Sequence, residues 1–295
     1  KSYDYTLKDK LVDNRFNRNF LAFEDAYSCN LDDSARKGVN INVAEFPYLW
    51  IFGNGGTGYY PTYTGDTFLI AGSGCIYGGG ASDYAAVTSI DLNNKGLTTA
   101  FTEDLLDGFV NLSELFIYIN NINILVVRKN VNLTNLICRT NNIDDLDLSQ
   151  NINLMLLYCD TNSLDDLVTS TNTELTEVAC HTNNIQSLDF SNNLKLEELY
   201  ARNNILSSLN IANNTELNTL AIQSNNLTSL SFSNNAKLIL VRTNDNQLDA
   251  SVNSQLLIDL DTHGLSNGYL NSTIFGGGTL TTAGATAKAN LQAKG

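Results

Sequence analysis

The chain has 295 residues, enough to bury a substantial core in one large domain or two modest ones. Its 17 lysines and arginines stand against 31 aspartates and glutamates, a formal net charge of −14. That balance excludes a phosphate-tracking nucleic-acid binder and adhesion to anionic lipid, since both need a basic field.

No apolar run reaches the length of a membrane-spanning helix, so membrane insertion is not expected. The chain opens on Lys1 with neither an initiator methionine nor an apolar signal segment, as expected where a leader has been removed or the ends trimmed. Leu7, Leu11, Phe16, Phe20, Phe23 and Tyr27 recur at helical spacing and predict one amphipathic helix over about residues 5–28. Alternation at Val39, Ile41 and Val43 then predicts a strand, and an aromatic, glycine-rich run of strands and loops follows to about residue 85. Within it, Gly53-Asn-Gly55-Gly-Thr-Gly58 has the spacing of a dinucleotide-binding loop. Such a loop must open a helix that receives the pyrophosphate, whereas Tyr59-Tyr-Pro61-Thr-Tyr63 follows here. The stretch reads as a turn between strands, and no cofactor is expected. Five cysteines cannot all pair within the chain, and the sequence leaves the state of Cys29 and Cys75 open.

Beyond residue 86 the sequence repeats. Leu133-Thr-Asn-Leu136-Ile-Cys138-Arg-Thr-Asn141-Asn-Ile143 is followed at a step of 21 residues by Leu154-Met-Leu-Leu157-Tyr-Cys159-Asp-Thr-Asn162-Ser-Leu164, and then by Leu175-Thr-Glu-Val178-Ala-Cys180-His-Thr-Asn183-Asn-Ile185. The frame extends back to Leu112 and onward through Leu196, Leu217 and Leu238, with a fainter copy near Val87 and a shortened one near Leu257. Counting each unit from its first leucine, positions one, four, six and eleven are apolar. No single unit can bury them, so stacked units must close a common core.

Position nine is always asparagine: Asn120, Asn141, Asn162, Asn183, Asn204, Asn225 and Asn246. An amide there can satisfy backbone groups of the bend and of the next rung. A second column, Asn130, Asn151, Asn172, Asn193, Asn214 and Asn235, marks position nineteen. Two bends per coil imply extended backbone on both flanks, with no helix between.

Cys138, Cys159 and Cys180 share position six with Ile117, Ala201 and Ile222, which makes it an interior apolar slot occupied by thiols. His181 follows Cys180 but points to the opposite face of the strand, so the two cannot form a nucleophile and base pair. Asp144-Asp145 and Asp165-Asp166 recur at one position on successive units and form a solvated acidic edge, with a surface calcium site as the sharper reading. Asp259-Leu-Asp261-Thr-His263-Gly264 lacks the fifth ligand and the closing glutamate of a calcium loop, and predicts a strand end and turn. The run from Thr281 predicts a short alanine-rich helix with glycine at its C-cap, closing the last rung.

The L-x-x-L-x-C/L-x-x-N-x-L half, alternating with halves such as Leu146-Asp-Leu148-Ser-Gln-Asn151, resembles the leucine-rich repeat family in its 21-residue bacterial class, found in bacterial surface and phage proteins. The resemblance implies a mainly β, right-handed solenoid of parallel strands and a role in binding rather than catalysis. The expected layout is an α+β N-terminal cap, attachment or oligomerisation region over 1–85, the solenoid over 86–265 and a C-terminal cap over 266–295.

Positions five and seven carry no packing duty. They read Phe116, Ile137, Tyr158, Ala179, Tyr200, Ala221, Arg242 and Tyr118, Arg139, Asp160, His181, Arg202, Gln223, Asn244. Aromatic and arginine side chains are enriched at binding hot spots. The expected ligand ribbon comprises Phe116, Tyr118, Ile137, Arg139, Tyr158, Asp160, His181, Tyr200 and Arg202. Its partner would be a host or cell-surface protein or glycan. The favoured setting is a phage spike or fibre on a virion surface. The alternatives are a bacterial adhesin or a purely structural subunit whose repeat face packs against copies of itself, and homo-oligomer contacts are expected from the N-terminal region.

Overall fold

A computed structural model describes residues 88–94, 97 and 106–294, together with the strands at 48–50, 62–64 and 67–69. The predicted N-terminal helix, the strand at Val39–Val43, the glycine motif at Gly53–Gly58, Cys29 and Cys75 lie outside the described residues. The chain divides into two compact units, Lys1–Ile143 and Asp144–Gly295. Both are built on parallel strands at the 21-residue step, the mainly β solenoid that the repeat predicts.

In the first unit, β1 (Tyr48–Trp50), β4 (Ser89–Asp91), β5 (Glu114–Phe116) and β6 (Asn135–Ile137) pair in parallel in that order. β2 (Thr62–Thr64) and β3 (Thr67–Leu69) form an antiparallel pair. In the second unit, β7 (Leu156–Tyr158), β8 (Glu177–Ala179), β10 (Glu198–Tyr200), β12 (Thr219–Ala221) and β13 (Leu240–Arg242) pair in parallel. On the opposite flank β9 (Ser187–Asp189) pairs with β11 (Ser208–Asn210), so extended backbone does occur on both sides of the coil.

Each repeat strand covers positions three to five, and its central residue is the inward one. Leu115 and Leu136 in the first unit, and Leu157, Val178, Leu199, Leu220 and Val241 in the second, are fully buried. Positions one, six and eleven of the same coil are buried throughout, and positions fourteen and sixteen complete the core with side chains such as Leu146, Leu188, Phe190 and Phe232.

The bends show how the asparagines work. Asn183 donates through Nδ2 to the carbonyls of Cys180 at 3.0 Å and Cys159 at 3.1 Å, while its Oδ1 accepts the Leu164 amide at 3.0 Å. Asn141, Asn204, Asn225 and Asn246 repeat the pattern. The cross-coil bonds reach back to the preceding rung, not forward to the next. One residue earlier, position eight adopts a left-handed conformation in every coil: Ile119, Thr140, Thr161, Thr182, Asn203, Ser224 and Asp245 have φ between 53° and 59°. Three of these seven are threonine and one is isoleucine, β-branched residues for which this region is strained.

The C-terminal end departs from the sequence expectation. Residues expected to form a shortened repeat and a turn around Leu257–Gly264 form helix α1 (Ala250–Thr262). Asp249 caps it, accepting from the amides of Ser251 and Val252, and Leu256, Leu257 and Leu260 are buried at helical spacing. Asp259, far from any calcium loop, is buried and accepts the Phe232 amide at 3.1 Å, tying the helix to the last full coil. β14 (Tyr269–Asn271) then pairs with β13.

The predicted terminal helix is α2 (Thr282–Ala293), capped at its start by Thr281 and at its end by Lys294. It packs on α1 at Gly284, where a Cβ would lie 2.5 Å from the Ser254 Cβ, so only glycine allows the approach. Among the described residues no helix is long and apolar enough to cross a membrane.

Candidate functional site

Strand alternation that buries position four turns positions three, five and seven outward. In the second unit the in-register pairing sets these side chains in rows across neighbouring strands. Row five runs Tyr158, Ala179, Tyr200, Ala221, Arg242, and row three includes Glu177 directly opposite Glu198. The Tyr158 hydroxyl donates to Glu177 on the neighbouring strand, and the Tyr200 hydroxyl donates to Glu198 at 2.5 Å. Burial first, and then the carboxylate partner, raises both phenol pKa values well above the ordinary range. Both tyrosines therefore stay neutral donors at any physiological pH, and the bonds fix how their half-buried rings lie. Ala179 and Ala221 are only 7% and 3% exposed, so row five presents its planar groups while the alanines form a floor between them.

Row seven is polar. Asp160 is buried at 6% exposure, contrary to its expected place on the solvent face, because the next rung covers it: the His181 imidazole Nε2 sits 3.4 Å from its carboxylate. The Nδ1 of the same ring is 3.2 Å from the Thr182 hydroxyl. Arg202 Nε and Gln223 Oε1, on adjacent rungs, are buried atoms with no hydrogen-bond partner. Arg242 lies over the Tyr269 ring at 5.5 Å. In the first unit Phe116, Tyr118 and Ile137 are half-buried and Arg139 is exposed, its guanidinium 5.0 Å over the Tyr118 ring.

Glu177 and Glu198 were missed by a reading confined to positions five and seven. The same alternation exposes position three, so the signal was present.

Behind the sheet, Cys138, Cys159 and Cys180 are fully buried thiols. Burial, reinforced by the Asp160 charge, pushes the Cys180 thiol up to about 12. A nucleophilic cysteine needs the opposite shift. Asp144, Asp145, Asp165 and Asp166 are exposed, and Asp145 and Asp166 line a surface cleft of about 310 Å³ with Asp147 and Ser170. Among the described residues no set of three histidine, cysteine or carboxylate side chains is placed to hold a metal ion.

The coil geometry has counterparts among solved structures. The chain is similar to the leucine-rich repeat domain of APL1B, with a TM-score of 0.55 and 17% identity over 65% of this chain and 58% of that one. It matches the LRR ectodomain of the plant membrane receptor kinase GASSHO1/SCHENGEN3 from Arabidopsis thaliana, in complex with CASPARIAN STRIP INTEGRITY FACTOR 2, at a TM-score of 0.55 and 22% identity, over 65% of this chain and 24% of that one. The APL1 leucine-rich repeat domain gives 0.52 and 20%, over 65% and 53%.

The fold is that of a leucine-rich repeat protein.

The match spans less than two thirds of each of these relatives. No family model matches the sequence, and no curated protein matches it. The leucine-rich repeat of this chain thus rests on its 21-residue frame, its asparagine bends and its parallel strands.

Proposed function

We propose that this leucine-rich repeat protein is a non-enzymatic recognition module that takes a partner on the outward rows of its second unit. The observation that carries the reading is the pair of tyrosines on the exposed sheet face, each bonded to a glutamate. Rigid aromatic anchors cost little conformational entropy on binding and dominate the energetics of protein recognition. Nothing in the fold requires Tyr158, Glu177, Glu198 and Tyr200 to be these residues, since Ala221 and Thr219 serve the same strand positions elsewhere.

The setting we favour is the surface of a phage virion, as part of a spike or fibre that meets the host envelope through a surface protein or glycan. The N-terminal 85 residues would attach or oligomerise the chain. Support comes from the 21-residue repeat class and from an acidic, lysine-poor composition.

The test is binding of the labelled full chain to a panel of bacterial envelopes, beside a variant carrying Tyr158→Ala, Tyr200→Ala and Arg202→Ala. Selective binding that falls at least about tenfold in the variant is the expected outcome. A wild type that binds no envelope, or a variant that binds equally well, overturns the proposal.

A further inference from the structure

We infer that the ligand seated on these rows is an extended, proline-rich polypeptide carrying basic residues, laid across the strands in the polyproline II conformation. The inference rests on the recognition reading above and names its partner. It starts from spacing. Tyr158, Tyr200 and Arg242 present planar groups on alternate strands of one in-register sheet, separated by Ala179 and Ala221. Neighbouring strands lie about 4.8 Å apart, so the strand positions that carry the planar groups recur at about 9.6 Å. A polyproline II helix turns once in three residues at about 3.1 Å each, a repeat of about 9.3 Å. A ligand in the β conformation repeats at about 6.7 Å and falls out of phase within one step.

The chemistry follows the same line. The tyrosine rings are held by Glu177 and Glu198 before any ligand arrives, which suits the stacking of prolyl rings on aromatic faces. A polyproline II backbone makes no internal hydrogen bonds, so its carbonyls and any remaining amides are free. The half-buried Arg202 side chain beside row five is a donor for such a carbonyl. Glu177 and Glu198 are like charges directly opposite on adjacent strands, an arrangement that sheets disfavour. A lysine or arginine between the prolines would neutralise it, and the net charge of −14 draws such a ligand in.

The experiment is fluorescence anisotropy of the full chain with three probes: a labelled four-repeat Pro-Pro-Lys peptide, a Gly-Ser-Lys peptide of the same length and charge, and a β-1,4-linked N-acetylglucosamine tetramer. The expected result is binding of the proline peptide at least about tenfold tighter than the glycine-serine peptide, because the former is already extended. Tyr158→Ala and Tyr200→Ala should each weaken it by at least about tenfold. Tyr158→Phe and Tyr200→Phe, which keep the rings, should lose less, and an unchanged thermal unfolding midpoint shows that the variants are folded.

Equal affinity for the two peptides would reduce the effect to charge and overturn the inference. So would binding of the sugar alone, or of none of the probes. If envelope binding depends on the tyrosines while the proline peptide fails to bind, this inference falls and the recognition proposal stands. If the peptide binds and no envelope does, the recognition setting falls and the ligand class stands.

Discussion

Each coil turns twice, and the two bends solve the same problem unequally. At position nine the asparagine amide uses both ends: Asn204 donates to the Cys180 and Ala201 carbonyls and accepts the Ile185 amide. At position nineteen, Asn172, Asn214 and Asn235 use only the nitrogen. Asn214 donates to the carbonyls of Phe190 at 3.1 Å and Asn193 at 2.7 Å, but its buried Oδ1 has no donor, and the same holds for Asn172 and Asn235. The fully bonded bend is also the one preceded by a left-handed residue. Strain of that kind persists where the surroundings over-determine the backbone, and three hydrogen bonds per asparagine do so. Polar satisfaction, more than residue identity, therefore decides how much distortion a bend can carry.

The sharpest way to break this comparison is to delete one asparagine from each column. Asn204→Ala strands the buried Ile185 amide, while the Cys180 and Ala201 carbonyls keep Asn183 and Asn225 as donors, and it should lower stability by about 1–3 kcal/mol in denaturant unfolding. Asn214→Ala strands no group, because the Phe190 and Asn193 carbonyls keep the amides of Asn193 and Leu196, and it removes an oxygen that was already unsatisfied, so it should cost less, about 0.5–1.5 kcal/mol. Equal losses would show that the missing donor at position nineteen is energetically irrelevant.

A subtler pair sits inside the second column. Asn193 is the exception there, because Thr169 at position sixteen of the preceding coil donates its hydroxyl to Asn193 Oδ1 at 3.1 Å. The corresponding places for Asn172, Asn214 and Asn235 hold Leu148, Phe190 and Ile211. Thr169→Val makes this rung like its neighbours. It keeps the volume and removes the donor, and should cost about 1 kcal/mol, read as a lower denaturant midpoint with unchanged slope.

Both columns, the interior cysteines and the outward rows were legible in the sequence because repetition multiplies a weak local signal seven times. Burial of Leu157 or Cys180 follows from the frame alone. What repetition could not show was anything that happens once, or that is carried by the backbone. Leu257, Leu260 and Leu265 fit the start of another coil, yet Asp249 as a cap and the spacing of Leu256, Leu257 and Leu260 select a helix. Asp160 occupies an outward position, but its burial depends on the particular histidine one rung on. The glutamates at position three were hidden for a different reason: charged residues at a strand edge look like solvated surface until the tyrosine hydroxyls are seen bonded to them. Position eight gave no sign of a left-handed backbone, because threonine and isoleucine are residues that ordinarily avoid it.

The smallest effect is expected at position eight. Asparagine tolerates the left-handed region far better than a β-branched residue, and the chain already uses it at Asn94 and Asn203. Thr140 has φ of 56° with an exposed side chain, so Thr140→Asn should remove strain without disturbing the core. The expected gain is about 0.5–1 kcal/mol, seen as a raised unfolding midpoint. If the substitution is neutral or destabilising, the neighbouring Asn141 bonds do not hold threonine in a conformation it disfavours. The bend would then be a relaxed property of the coil, and its three hydrogen bonds would not be what lets position eight tolerate strain.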